Sequence, residues 1–179
     1  MKESILNNLR DEVYQIAMDH GWHEKPMSIE HYLCLVISEL MEAVEADRKG
    51  MYLRKKIDIE ENELFVQDFE IYVKGRVEEE LADAVIRLLD LCGYRNIDVR
   101  CKDVELVEDC TMFTEHVFWI CQALTDWCWV VVDLESMLNR AVSYIFTYCE
   151  EHGIDLMWCI QAKIKYNKQR DYKHGNKKY

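Results

Sequence analysis

The chain has 179 residues, 50% of them hydrophobic and 31% charged, with a formal net charge of −12. This composition excludes a disordered chain and suits one domain, 1–179, with a substantial core. The negative charge argues against a nucleic-acid partner, since most of the surface would repel a polyanion.

Glycine (6 residues) and proline (1) fall almost entirely between periodic segments, which is all-α punctuation. A first helix is predicted over 2–19, with Ile5, Leu9, Val13 and Ile16 inward, stopping near Gly21. Pro26 marks a new start and Ser28 is its N-cap. The second helix ends near Gly50 and carries an apolar stripe of Ile29, Leu33, Val36, Leu40 and Val44. The connection 51–74 is long; its apolar triplets 64–66 and 71–73 read as short strands, a lid or a short helix. Such a connection is often functional, or merely covers one end of a bundle. A third helix runs from near Gly75 to near Gly93 on a broad apolar face of Val77, Leu81, Val85, Leu88, Leu89 and Cys92. Thr111 or Thr114 caps a fourth helix reaching about 126. The run 127–132 has strand propensity but no partner strand, so it reads as a buried helix junction or part of a subunit interface. The most apolar stretch, Trp127 to Leu134, is too short to span a membrane and is interrupted by Asp133. A fifth helix covers 133–151, stopping before Gly153, and Asp155 caps a last one reaching about Lys168. Met1-Lys2-Glu3-Ser4 leads straight into an amphipathic helix without a signal-peptide pattern, so a cytoplasmic location is expected.

Two acidic pairs carry the chemistry. Glu39 and Glu42 sit on the second helix, Glu80 and Asp83 on the third, each pair at i, i+3 and so on one face. Side by side, the two helices would gather four carboxylates, whose repulsion a hard cation such as Mg²⁺ or Mn²⁺ resolves. Such a site suits phosphate chemistry. Acidic pairs also occur on ordinary wet helices. Glu39 and Glu42 lie beside Leu35, Ala43 and Ala46, off the centre of both the apolar and the solvated faces. Glu80, Asp83, Arg87 and Asp90 form a stripe that helical geometry alone leaves open between wet surface and site lining. Glu45 and Glu79 read as solvated neighbours.

Other metal chemistries lack their signatures. The 8 cysteines include no C-x-x-C pair, which argues against a zinc site or disulfide framework. Cys34, Cys92, Cys121, Cys128, Cys149 and Cys159 fall in helical patterns among apolar neighbours and read as buried thiols; Cys101 and Cys110 are the exposed candidates. No H-E-x-x-H, no paired E-x-x-H and no P-loop occurs.

Near the end of the chain, Lys163, Asn167 and Arg170 share a helical face at i, i+4 and i+7. Cations also suit a helix C-terminus for its dipole alone, which accounts for Lys165, Lys168, Lys173, Lys177 and Lys178.

The motif order resembles the MazG-like all-α nucleoside triphosphate pyrophosphohydrolases. It runs from Gly21-Trp22 through Ser38-Glu39-Leu40-Met41-Glu42-Ala43, Arg48-Lys49-Gly50 and Val73-Lys74-Gly75. It continues in Glu80-Leu81-Ala82-Asp83-Ala84-Val85-Ile86-Arg87, then Lys163-Ile164-Lys165-Tyr166-Asn167-Lys168-Gln169-Arg170, and ends in His174-Gly175. Each motif is short, and 98–133 carries none. The chain departs from the family pattern at Ser38, where many members have Glu, at Arg76 in place of a small hydroxyl residue, and at Asp171 in place of Pro. The resemblance implies a MazG-like helical bundle with a four-helix catalytic core and additional helices. It also implies Mg²⁺-dependent attack at the α-phosphorus of a nucleoside or deoxynucleoside triphosphate, releasing pyrophosphate and a nucleoside monophosphate. Glu39, Glu42, Glu80 and Asp83 would be metal ligands and catalytic groups. Lys163, Asn167 and Arg170 would steady the phosphates. Trp22, with His23 and Tyr32, would bound the base, although core filling or helix entry explains these three as well.

Two other readings make different predictions. An acidic interaction module would leave the four carboxylates independently solvated, and a nucleic-acid binder using the basic tail would bind with strong salt dependence. Aromatic side chains cluster at Phe113, Phe118, Trp119, Trp127, Trp129, Tyr144, Phe146 and Tyr148, outside the catalytic motifs. A homodimer covering that apolar surface is expected.

Overall fold

A computed structural model describes residues 2–60, 63–126 and 133–173. Among these, every regular element is helical. The helices are α1 (Lys2–Asp19), α2 (Ile29–Arg48), α3 (Phe65–Asp68), α4 (Val77–Arg95), α5 (Phe113–Thr125), α6 (Leu134–Glu151) and α7 (Leu156–Lys168), with a π turn (Phe69–Val73) extending α3. The fold is an all-α bundle, and no helix among the described residues is long and apolar enough to cross a membrane.

Helix α4 is the axis. Its apolar residues cover most of its circumference, and it packs against α1, α2, α6 and α7, while α5 lies on α2 and α6. Leu33, Val36 and Leu40 of α2 face Leu81, Val85, Leu88 and Leu89 of α4 in one continuous core. On α1 the inward set is Leu6, Leu9, Val13 and Ala17; Ile5, expected inside, is exposed because Leu6 takes the core position.

The predicted caps hold where a short polar side chain can reach a backbone N–H. Ser28, Asp133 and Asp155 each accept from the residue three positions on, His31, Ser136 and Trp158 respectively. The start of α5 differs: neither Thr111 nor Thr114 caps it. The Glu115 carboxylate instead reaches back to the Thr111 and Met112 N–H groups at 2.7 and 2.8 Å. Helix α2 ends as expected, with Gly50 at φ 65 and the Met51 N–H closing onto Ala46 O at 2.9 Å. Helix α4 does not end at Gly93. Asn96 supplies the left-handed residue (φ 53) and Ile97 N–H closes onto Cys92 O at 2.8 Å. Gly93 lies within the helix, where a Cβ would stand 2.5 Å from Tyr14 Cβ, so its role is to let α1 approach.

The 51–74 connection contains no strand among its described residues. Ile57, Phe65, Phe69 and Val73 bury themselves against Ala162 and Tyr166 of α7 in a small second core. The stretch 98–104 runs extended along α6. The N–H groups of Arg100, Lys102 and Val104 donate to the side chains of Asn139, Ser143 and Thr147 at 2.8, 3.1 and 3.5 Å. Two extended residues and one helical turn of four advance by about the same 6 Å, so the two periods stay in step.

Several burial expectations change. Cys92, Cys149 and Cys159 are buried, Cys121, Cys101 and Cys110 are partly so, and Cys34 is exposed because it faces away from the α4 side of α2. Cys128 and the run 127–132, with Trp127 and Trp129, lie outside the described residues, as do His174 and Gly175. Tyr144, Phe146 and Tyr148 pack within the chain's own core. Among the described residues, the apolar surface that suggested a partner is therefore reduced to Phe118, 63% exposed, Met112 and the half-buried Trp119.

Candidate metal centre

The α2–α4 contact brings the two acidic pairs together, as their shared-face spacing requires. One oxygen each from Glu39, Glu80 and Asp83 lies within 4.8 Å of the others. Glu42, the fourth expected member, is exposed and outside that group. One turn beyond Glu39, it lines the same cavity from the solvent side. Of the residues nominated from sequence, Glu39, Glu42, Glu80, Asp83, Lys163, Asn167, Arg170, Trp22 and Tyr32 line this one cavity of about 490 Å³, and His23 does not.

The acids are withdrawn from water: Glu39 is 6% exposed and Glu80 8%. Glu79, read from sequence as solvated, is 1% exposed. It sits at the start of α4, where its carboxylate accepts from Gly75 N–H at 2.8 Å and pairs with Lys163. Sequence reasoning also missed Arg87, whose Nε lies 2.5 Å from Glu39 Oε1. The signal was there, since Arg87 is one turn from Asp83 on the same stripe, but only the α2 packing shows which acid it meets.

Lys163 departs most from expectation. Its ammonium does not stand free for a ligand. It is buried, pairs with Glu79 and lies 2.5 Å from Asp83 Oδ2. Arg170 and Lys173 line the cavity, with Arg170 over the Tyr166 ring and Lys173 paired to Glu24 at 2.8 Å. Asn167 Oδ1 is buried with no hydrogen-bond partner among the described residues. At the other end Tyr32 and Trp22 line the wall. The Tyr32 hydroxyl lies 3.1 Å from His23 Nδ1, and His23 Nε2 lies 2.7 Å from Asp90. His23 itself is held inside this group rather than lining the cavity.

The electrostatics follow from the packing. Burial, then the charges of Glu79 and Asp83, push the Glu80 carboxyl up to about 9. Burial and the Asp83 charge also raise Glu39, against the pull of Arg87. Fully ionised, the cluster would carry more negative charge than its two contacting cations neutralise, and Glu80 answers by holding its proton. Its donors are all carboxylate oxygens, the set a hard divalent ion prefers. The residues present therefore fit such an ion.

No family model matches the chain, and no curated protein or solved structure matches it. The family resemblance stands on the short motifs in the sequence.

Proposed function

We propose that the chain is a divalent-metal-dependent nucleoside triphosphate pyrophosphohydrolase. It would hydrolyse a nucleoside or deoxynucleoside triphosphate to the monophosphate and pyrophosphate, as the motif resemblance implies. The observation that carries this reading is the gathering of Glu39, Glu80 and Asp83 within 4.8 Å in a cavity that also holds Arg170, Lys173 and Trp22. A solvated acidic module gives no reason for three withdrawn carboxylates to converge.

Glu39, Glu80 and Asp83 would hold Mg²⁺, with Mn²⁺ an alternative. When bound, such an ion would supply positive charge to offset the carboxylates and a bound phosphate group. Glu42, on the wet side of the same wall, is placed to orient or deprotonate the attacking water. Arg170 offers a charge-assisted hydrogen bond to phosphate oxygens, and the Asn167 side-chain N–H a further one. The wall bearing Trp22 and Tyr32 bounds the base.

A panel of nucleoside triphosphates with pyrophosphate detection, with and without Mg²⁺, tests the reading. In ¹⁸O-labelled water the label should enter the monophosphate. Orthophosphate and nucleoside diphosphate as first products would exclude attack at the α-phosphorus. Glu39→Gln, Glu80→Gln and Asp83→Asn should each lower kcat by at least about 100-fold while the far-UV circular dichroism is kept. A variant with wild-type activity removes that residue from the ligand set.

A further inference from the structure

The position of Lys163 suggests a role beyond phosphate contact. Its ammonium pairs with two acids at once, Glu79 and Asp83, and it is 5% exposed. A buried lysine of this kind ordinarily loses its proton, because burial penalises the charge. Here two carboxylates stand against the ammonium and offset that penalty. The Phe69 and Tyr166 rings, stacked 4.4 Å apart, each have their centroid 5.8 Å from Nζ and present a further surface to the cation.

The two anchors differ. Glu79 is fixed by Gly75 N–H and stands outside the trio of converging oxygens. Asp83 belongs to that trio. Lys163 therefore shares one carboxylate with the ion proposed above and keeps the other for itself. On the far side Arg87 pairs with Glu39, another member of the trio. Four buried or half-buried acids, Glu39, Glu79, Glu80 and Asp83, thus meet two built-in cations.

We infer that Lys163 is a resident counter-cation that holds the acidic cluster together in the metal-free protein and yields Asp83 to the divalent ion when it binds. This rests on the metal reading of the same site. Lys163 lowers the repulsion among the carboxylates of α2 and α4 and ties α7 to α4, and it weakens the first metal-binding step, because Asp83 must exchange one cation for another. After the exchange Lys163 remains paired with Glu79, so neither charge is left buried alone. Glu79 is then a positioning residue that retains the lysine.

The test is Mn²⁺ binding by calorimetry and electron paramagnetic resonance at about pH 8 without nucleotide, in the wild type and Lys163→Met. Methionine keeps the unbranched apolar stem. The variant should bind Mn²⁺ on the order of tenfold more tightly, a factor typical of one added favourable interaction. Its metal-free Tm should fall, and saturating Mn²⁺ should restore most of the loss. Equal or weaker Mn²⁺ binding by the folded variant overturns the inference while leaving the metal site intact. A wild-type protein that binds no Mn²⁺ overturns both. Should Lys163→Met not fold, the wild type still decides. The buried ¹⁵Nζ resonance of Lys163 should move saturably as Mg²⁺ is added, and an unmoved resonance at saturating Mg²⁺ refutes the exchange.

Discussion

Glu80 shows how a single side chain can be stabilising for function and destabilising for the fold. It is the one member of the converging trio without a cation directly on it among the described residues, since Arg87 serves Glu39 and Lys163 serves Asp83. Its carboxyl is raised from 4.5 to about 9. The folded protein therefore keeps a proton that the unfolded chain releases between those two values. The sign follows from linkage: stability from this group is complete below about 4.5 and is lost as pH rises through about 9. In Glu80→Gln that dependence disappears. The metal-free variant should be more stable than wild type by about 1–2 kcal/mol near pH 8, with a flatter Tm profile from about pH 5 to 9. Added Mg²⁺ should raise the wild-type Tm and leave the variant's nearly unchanged. A variant that loses stability at pH 8 would mean that Glu80 is held by favourable contacts and not by confinement. At this scale the sequence was readable where spacing on one helix decides the outcome, as for Glu80 with Asp83, whereas Glu42, one turn from Glu39, stays outside the converging trio. It was not readable for Glu79. Its neighbours in sequence are acidic, and only the arrival of α7 with Lys163 explains why a carboxylate is buried there.

At the scale of elements, the helices with a short polar cap and a clear period were legible within a residue or two. The second helix, the fifth and the last began at Ser28, Asp133 and Asp155 because those side chains act locally. What failed was any feature set by packing between elements. Gly93 reads as a stop in a one-dimensional sequence, yet α4 continues to Arg95 because Asn96 can take the left-handed conformation. Likewise 98–104 has no strand to pair with, and its backbone is satisfied by a row of α6 side chains that no propensity reveals. Gly93→Ala separates the two accounts. Helix propensity alone favours alanine by about 1 kcal/mol. Contact with Tyr14 Cβ at 2.5 Å and Arg10 O at 3.4 Å should outweigh it, since both belong to the α1 backbone region and cannot swing away. A net loss of about 1–3 kcal/mol in urea denaturation is expected. A gain would show that α1 can shift at little cost.

For the whole molecule, the bundle places its site at the meeting of α2, α4 and α7 and assigns α5 and α6 to enlarging the core. That division bears on self-association. Much of the aromatic content that favoured a homodimer is used inside the chain: Tyr144 and Tyr148 pack around His116, and Phe146 belongs to the main core. The remaining physical basis for a partner is the outer face of α5. Phe118 is 63% exposed there, its ring edge-on to Trp119 at 5.6 Å, and Met112 is 59% exposed. Two adjacent aromatic rings, one of them mostly exposed, are the kind of surface that association covers, and a two-fold pair is the simplest closed arrangement. The homodimer expected from composition would use this face. Light scattering at micromolar concentration should then give twice the 21.4 kDa chain mass. Phe118→Ser should return the mass to that of one chain without changing the helical circular dichroism, because the side chain it replaces is mostly in water. The residues of the proposed metal centre lie on other helices, so the pyrophosphate release proposed for the protein should survive dissociation in this variant. A wild-type mass of one chain across a dilution series, with full activity, would show that α5 is an ordinary wet face and that the single bundle is the working unit.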